Sequence, residues 1–244
     1  MLATEMTTAA PLMATRPSSD QLKQNAAEAA LSQVESGMTV GLGSGSTAAL
    51  FIAALGRDLR EGRLSRIRGI PTSEASRRLA AAAGVPIVSF AEAERCEVTV
   101  DGADEIDPSL NLIKGLGGAL LREKIVAQNS DRVIIIADEA KLVDRLGARG
   151  PLPVEVDRFG AERQPDFFRS LGGMPAPRVA GGTPFVTDGG NLIYDVAFGP
   201  IADAAALEAA LLRRAGVIQT GLFLGIADEV IVAHADRLQT LTRA

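Results

Sequence analysis

The feature that most constrains the fold is the regular alternation of short apolar segments with longer segments of helical periodicity. Strands are predicted at residues 38–42, 96–100 and 132–138, and helices at residues 47–59 and 118–129 lie between them. Several of these strands are apolar nearly throughout, which is typical of parallel sheets that helices cover on both faces. The sequence therefore predicts an α/β protein with a doubly wound, mostly parallel, Rossmann-like sheet. Further elements are predicted as a first helix that ends at Gly37, strands at 66–73 and 85–90, and a helix at 74–84.

The pattern changes near Gly150. From there to residue 223 the predicted order is β-α-β-β-α-β, which resembles a ferredoxin-like split unit. Its elements are predicted at residues 151–156, 160–173, 184–196 (two strands around a turn), 201–216 and 217–223. Residues 228–234 then read as a strand that returns to the first sheet. We therefore expect a disordered extension (1–18), a main α/β domain (19–148), a small α+β insert (149–223) and a C-terminal return (224–244).

Composition narrows the class of protein. The net charge of −5 over 244 residues argues against nucleic acid or an anionic membrane as the main partner. A run of about 18 apolar residues is absent, so no transmembrane helix is expected. The N-terminus lacks the basic start and apolar centre of a secretory signal. Cys96 is the single cysteine, which excludes a disulfide within the chain and fits a reducing compartment, so we expect the cytoplasm.

A glycine-rich loop after the first strand is suited to binding an anion. Residues 40–49 read VGLGSGSTAA, and they precede a helix whose first amides can converge on a phosphate. A dinucleotide fingerprint fails because Ser46 stands where its third glycine belongs, and a Walker A loop fails because no lysine precedes Thr47. A phosphate cradle for a sugar phosphate remains, formed by Ser44, Gly45, Ser46 and Thr47. The alternative is a Gly/Ser turn that packs tightly within the protein and binds no ligand.

A second glycine loop precedes the helix at 118–129. Residues 111–124 read NLIKGLGGALLREK, with Lys114 at the loop entrance and Glu123 in the second helical turn. Its helix N-terminus also offers amides to a negative charge. Two such loops suggest that the substrate carries two negative charges, one that is permanent and one that develops during the reaction. Glu123 by itself could equally be an ordinary solvated glutamate.

An acidic cluster, DGADEID, begins at the end of the strand at 96–100. Asp101 and Asp104 could bind Mg²⁺ or decorate a surface, but Lys114 would compete with a metal for them. His234 is the single histidine, so no Cys/His ligand set exists and no metal is expected. In doubly wound sheets, ligands bind beyond the carboxyl ends of the strands. The polar loops therefore predict one cleft.

Together these motifs resemble ribose-5-phosphate isomerase, type A. GLGSGST, DGADEID, KGLGGALLREK, ADEAKLV and PLPVEV occur in the order found in that family, and the resemblance runs from about Asp20 to the C-terminus. The resemblance implies that ribose 5-phosphate and ribulose 5-phosphate are interconverted through a cis-enediolate, without a cofactor. It also implies a homodimer or, in some members, a tetramer.

The resemblance also assigns roles. Glu123 would be the general base, Lys114 and the amides after it would stabilise the enediolate, and Asp101 and Asp104 would bind sugar hydroxyls, with Asp101 assisting ring opening. Lys23 and Lys141 would contact the substrate near its phosphate. The full set of expected substrate contacts is Lys23, Ser44, Gly45, Ser46, Thr47, Asp101, Gly102, Ala103, Asp104, Lys114, Gly115, Leu116, Gly117 and Lys141.

Two other functions share parts of this pattern. A sugar-phosphate deaminase or lactonase of related fold would have the phosphate loop but lacks the pair of motifs that contain Asp101 and Lys114. A sugar-phosphate-sensing domain would need an output module, and residues 1–18 are too short and too uncharged to supply one.

Overall fold

The computed structural model describes residues 17–243, so the disordered extension expected at residues 1–18 lies outside it except for its last two residues. The helices are α1 (Ser19–Leu31), α2 (Ser46–Arg60), α3 (Glu74–Ala83), α4 (Leu120–Gln128), α5 (Gln164–Ser170) and α6 (Ala204–Leu212), with 3₁₀ turns at Glu139–Lys141 and Ala161–Arg163. The strands are β1 (Thr39–Leu42), β2 (Arg68–Pro71), β3 (Val98–Asp101), β4 (Glu105–Ile106), β5 (Leu112–Ile113), β6 (Val133–Asp138), β7 (Leu152–Val156), β8 (Met174–Pro177), β9 (Val179–Ala180), β10 (Thr183–Pro184), β11 (Leu192–Ala197), β12 (Val217–Thr220), β13 (Leu222–Phe223), β14 (Glu229–Ala233) and β15 (Leu238–Thr242).

The central sheet has six strands in the order β15-β14-β6-β3-β1-β2. All neighbours are parallel except β14 and β15. The central position of β6 explains why residues 133–137 are all apolar. Ile134 and Ile136 pack in the core beside α1 and α2, while Val133, Ile135 and Ala137 pack on the opposite face of the sheet. Because both faces are covered, the predicted doubly wound sheet is confirmed.

The insert contains an antiparallel sheet in the order β12-β7-β11-β8. The segments β7, α5, β8, β11, α6 and β12 follow the predicted β-α-β-β-α-β order, with the β9–β10 hairpin between β8 and β11. A three-stranded sheet, β13-β5-β4, lies where the insert rejoins the main sheet. The domain boundaries themselves stay a prediction.

Two predicted strands are wrong. Residues 85–90 form a single bridge, between Ile87 and Gly69, because the segment is an edge in which Pro86 has no N–H to donate. In the segment before the turn at 188–191, only Val186 bridges to β11. On the side away from β7, β11 pairs instead with β8. The sequence of β8, MPAP, does not look like a strand, but prolines are tolerated at a sheet edge.

Candidate active site

A cleft of about 430 Å³ opens at the carboxyl ends of β1 and β3. The two glycine loops, the residues after β3 and the N-terminus of α3 enclose it, as expected for a doubly wound sheet. The predicted residues that line it are Lys23, Ser44, Gly45, Ser46, Thr47, Gly102, Ala103, Asp104, Lys114, Gly115, Gly117, Glu123 and Lys141. Asp101 and Leu116 do not line this cleft: Asp101 is buried behind it, and the Leu116 side chain is about half exposed.

Lys114 forms the electrostatic centre of the cleft. Its Nζ lies 3.1 Å from Oδ2 of Asp101 and 3.3 Å from Oε1 of Glu123, and it donates to the carbonyl oxygen of Gly102 at 2.5 Å. All three charged side chains are buried, with about 5% or less of each exposed. Burial lowers the pKa of Lys114, but the two carboxyl groups more than offset that effect, so the pKa rises and the ammonium stays charged.

Glu123 keeps one oxygen unpaired. Its Oε2 is buried and has no hydrogen-bond partner among the described residues, although the side chain lines the cleft. Burial raises the pKa of Glu123 to about 8, against the opposing effect of Lys114. Burial also raises the pKa of Asp101, likewise opposed by Lys114. One ammonium therefore faces two carboxyl groups, and a proton is retained on the pair until the pH approaches 8.

Asp101 organises the loops around it. Its Oδ1 accepts hydrogen bonds from the amides of Ser44, at 3.0 Å, and Gly102, at 2.7 Å. Asp104, in contrast, lines the cleft, and its Oδ2 accepts from the Leu116 amide at 2.9 Å. The acidic cluster thus forms hydrogen bonds to both glycine loops. A metal site or a solvated surface would not need these bonds.

The opposite side of the cleft is suited to an anion. Helix α2 follows its N-cap residue Gly45, which has φ +94° and supplies no side-chain cap, so the first amides of the helix are free to bind a ligand. The hydroxyl of Ser44 lies 2.8 Å from that of Thr72 and donates to that of Ser73 at 2.7 Å. Three cations, from Lys23, Arg78 and Lys141, line the same cleft.

Several lining residues lie outside the set of expected contacts, namely Ser73, Ala75, Arg78, Gly118, Ala119, Phe185 and Asp188. Of these, Ser73 ends the strand predicted at 66–73, and its place at a strand end was the local signal for it. Phe185 and Asp188 belong to the insert, and no local pattern relates them to loops more than 60 residues earlier.

Residues 17–243 show neither a cluster of metal ligands nor a membrane-spanning helix. No group of three or more His, Cys, Asp or Glu side chains there is placed to hold a metal ion. No helix in that part of the chain is long and apolar enough to cross a membrane. His234 contacts Glu139 at 2.7 Å and Gln239 at 2.9 Å and does not line the cleft.

Comparison with known proteins places this architecture in a family. Residues 68–237 match the family model of ribose 5-phosphate isomerase A (phosphoriboisomerase A). The chain is 50% identical over 220 residues to ribose-5-phosphate isomerase A of Roseiflexus sp. (90% of this chain, 94% of the relative) and 51% identical over 224 residues to that of Gloeobacter violaceus (91% and 96%). A solved D-ribose-5-phosphate isomerase in complex with phospho-erythronic acid superposes with a TM-score of 0.91 at 39% identity (93% and 100%), and that of Methanocaldococcus jannaschii with 0.87 at 38% (92% and 100%). The chain therefore belongs to the ribose 5-phosphate isomerase A family.

Proposed function

We propose that the protein interconverts D-ribose 5-phosphate and D-ribulose 5-phosphate, within the non-oxidative pentose phosphate pathway. The observation that carries this proposal is the buried Glu123 carboxyl group, which has one unpaired oxygen and lies 3.3 Å from the ammonium of Lys114 in an anion-binding cleft. Family membership supports the substrate. A sensing domain would have no need for a buried base of raised pKa beside a cation.

In the forward reaction, ionised Glu123 removes the proton from C2 of the open-chain aldose and returns it to C1. Between these steps the substrate is a cis-enediolate, and a hydroxyl proton passes from O2 to O1. Such general base catalysis typically contributes about 10²–10⁴-fold. The ammonium of Lys114 and the amides of Gly115, Gly117 and Ala119 would stabilise the negative charge on the enediolate. The amides of Leu116 and Gly118 instead donate to Asp104 and to the Gly115 carbonyl.

The remaining residues bind and orient the substrate. The amides at the start of α2, together with Lys23, Arg78 and Lys141, would bind the phosphate, and Asp104 would accept hydrogen bonds from sugar hydroxyls. The position of Asp101 behind Lys114 favours a role in fixing that ammonium and the Ser44 loop. The part of Asp101 in ring opening stays a prediction.

The test compares wild type with Glu123→Gln in the conversion of ribose 5-phosphate to ribulose 5-phosphate, with EDTA present. The amide keeps the shape of the side chain but cannot accept the proton, so kcat should fall at least about 100-fold. Glu35→Gln is the matched control, since Glu35 is exposed and remote from the cleft. An inactive wild type would overturn the isomerase assignment. Equal activity in both proteins would keep the reaction but remove Glu123 from its centre.

We also propose that the enzyme acts in the cytoplasm as a homodimer. The free thiol of Cys96 is fully buried, which fits a reducing compartment, and the family resemblance implies the dimer. Light scattering on the purified protein measures the assembly, and a monomeric or tetrameric mass would contradict the dimer.

A further inference from the structure

Arg178 reaches from the insert to the loop that follows Lys114. Its NH1 group donates to the carbonyl oxygens of Gly115, at 2.7 Å, and Leu116, at 3.1 Å. Its Nε donates to Oδ2 of Asp195 at 2.9 Å, and its NH2 group contacts the other carboxylate oxygen. The arginine side chain is only 11% exposed. A bidentate ion pair therefore fixes the guanidinium while it holds two loop carbonyls.

The backbone around Arg178 is also anchored. Its amide donates to the carbonyl oxygen of Ile193, in the strand that carries Asp195, and its carbonyl accepts from the Phe185 amide. The Phe185 ring lies 5.8 Å from the guanidinium and packs on Gly118, where an added Cβ would lie 2.3 Å from a ring carbon. The insert thus contacts the loop at 115–118 through one fixed cation and one ring.

These contacts determine how two peptide groups of the loop are oriented. In a trans peptide the C=O and the N–H point in opposite directions. The Gly115 carbonyl accepts from Arg178 and from the Gly118 amide, the latter at 2.9 Å, while the amide of the same peptide group, that of Leu116, donates to Asp104. The Leu116 carbonyl also binds Arg178, so the Gly117 amide points away from the guanidinium. Gly117 lines the cleft, and within residues 17–243 nothing accepts a hydrogen bond from its amide.

We infer that Arg178 is a positioning residue, which holds the Leu116–Gly117 peptide so that the Gly117 amide faces the negative charge that develops on the enediolate. This inference rests on the isomerase reaction proposed above. Oriented donors of this kind stabilise a transition state because they need not reorganise during the reaction. Without the guanidinium, the turn stays closed by the Gly118 amide on the Gly115 carbonyl, but that bond does not hold the Leu116–Gly117 peptide. Gly117 then leaves this central peptide free to rotate, and the donor is lost to the reacting oxygen.

The experiment measures kcat, KM and the inhibition constant of phospho-erythronic acid for wild type, Arg178→Ala and Arg178→Lys. A solved relative is in complex with this acid, whose carboxylate resembles the two oxygens of an enediolate. We expect kcat of Arg178→Ala to fall roughly 10- to 100-fold, with KM changed less than about threefold. The inhibition constant should rise in parallel with the loss of kcat/KM. Added guanidinium ion, at millimolar concentration, should restore part of kcat in Arg178→Ala.

Arg169→Ala is the matched control, because Arg169 is an exposed arginine of the insert whose one ion pair within residues 17–243 is with Asp166. It should match wild type in every parameter. A folded Arg178→Ala with wild-type kcat, or one that loses kcat while its affinity for the acid is unchanged, would overturn the inference. If the alanine variant does not fold, Arg178→Lys is judged by the same criteria. A wild type without turnover would instead contradict the isomerase proposal itself.

Discussion

Glu123 combines two properties that a single residue needs for proton transfer at neutral pH. Its side chain lines the cleft with one buried oxygen that has no hydrogen-bond partner among the described residues, and burial raises its pKa to about 8. Because the base must be ionised, kcat/KM should rise with pH and level off above an inflection near 8. Below the inflection the slope should approach tenfold per pH unit.

The measurement is kcat/KM for ribose 5-phosphate between pH 6 and 9.5. The second ionisation of a phosphate monoester has a pKa of about 6 and is largely complete above pH 7. The range above pH 7 therefore reports on the enzyme. Lys114, whose pKa is raised, stays protonated throughout this range and adds no inflection. Since Glu123 and Asp101 interact, the inflection belongs to the pair. A profile that is flat from pH 6.5 upward would contradict a base of raised pKa.

At the scale of elements, neighbouring strands β1 and β3 must approach closely where they end, so that Asp101 reaches both Lys114 and the Ser44 amide. A Cβ on Gly43 would lie 2.6 Å from Cα of Asp101 and 2.3 Å from its Oδ1. Gly43→Ala should therefore displace Asp101, lower the free energy of unfolding by about 1–3 kcal/mol and lower kcat/KM at least about tenfold. Urea unfolding and steady-state kinetics measure the two effects.

Gly150→Ala is the control for this change. A Cβ there would have its nearest neighbour at 4.0 Å, so stability should change by less than about 0.5 kcal/mol. If Gly43→Ala proved as harmless as Gly150→Ala, then the close contact between the strand ends would not be what positions Asp101.

At the scale of the whole molecule, Lys124 joins the main sheet to the insert. It follows Glu123 on α4, and its buried Nζ donates to the Leu222 carbonyl at 2.7 Å, to Gln219 at 2.8 Å and to Glu208 at 3.0 Å. Lys124→Ala removes the donor to the Leu222 carbonyl and the cation beside Glu208, while Gln219 keeps its hydrogen bond from the Thr220 amide. The substitution should cost about 3–5 kcal/mol of unfolding free energy. Lys124→Met keeps the apolar contacts of the chain and should cost less.

Urea unfolding of both variants measures these costs. Arg237→Ala is the control, because that arginine is exposed and, in the described part of the chain, forms an ion pair with its neighbour Asp236 alone. If Lys124→Ala were as stable as this control, then Lys124 would not hold the insert against α4.

Much of the architecture could be predicted from local patterns. The strands at 39–42 and 133–138 are short and apolar because both of their faces are buried, and the return of β14 was visible as another such segment. Strand β8 could not be found, since its prolines read as a loop and only its place at a sheet edge permits them.

The sequence by itself determined the α/β class and the two glycine loops, and the family resemblance named Glu123, Lys114 and Asp104 as expected site residues. These features are local: periodicity reflects burial, and loop residues reflect the turns that they must form. The tertiary structure alone decided that Asp101 stands behind the cleft, that Glu123 is buried beside Lys114, and that Arg178 and Phe185 reach the loop at 115–118 from the insert. Such facts depend on contacts between residues far apart in the chain, and no local pattern records which distant side chain will supply a charge or exclude water.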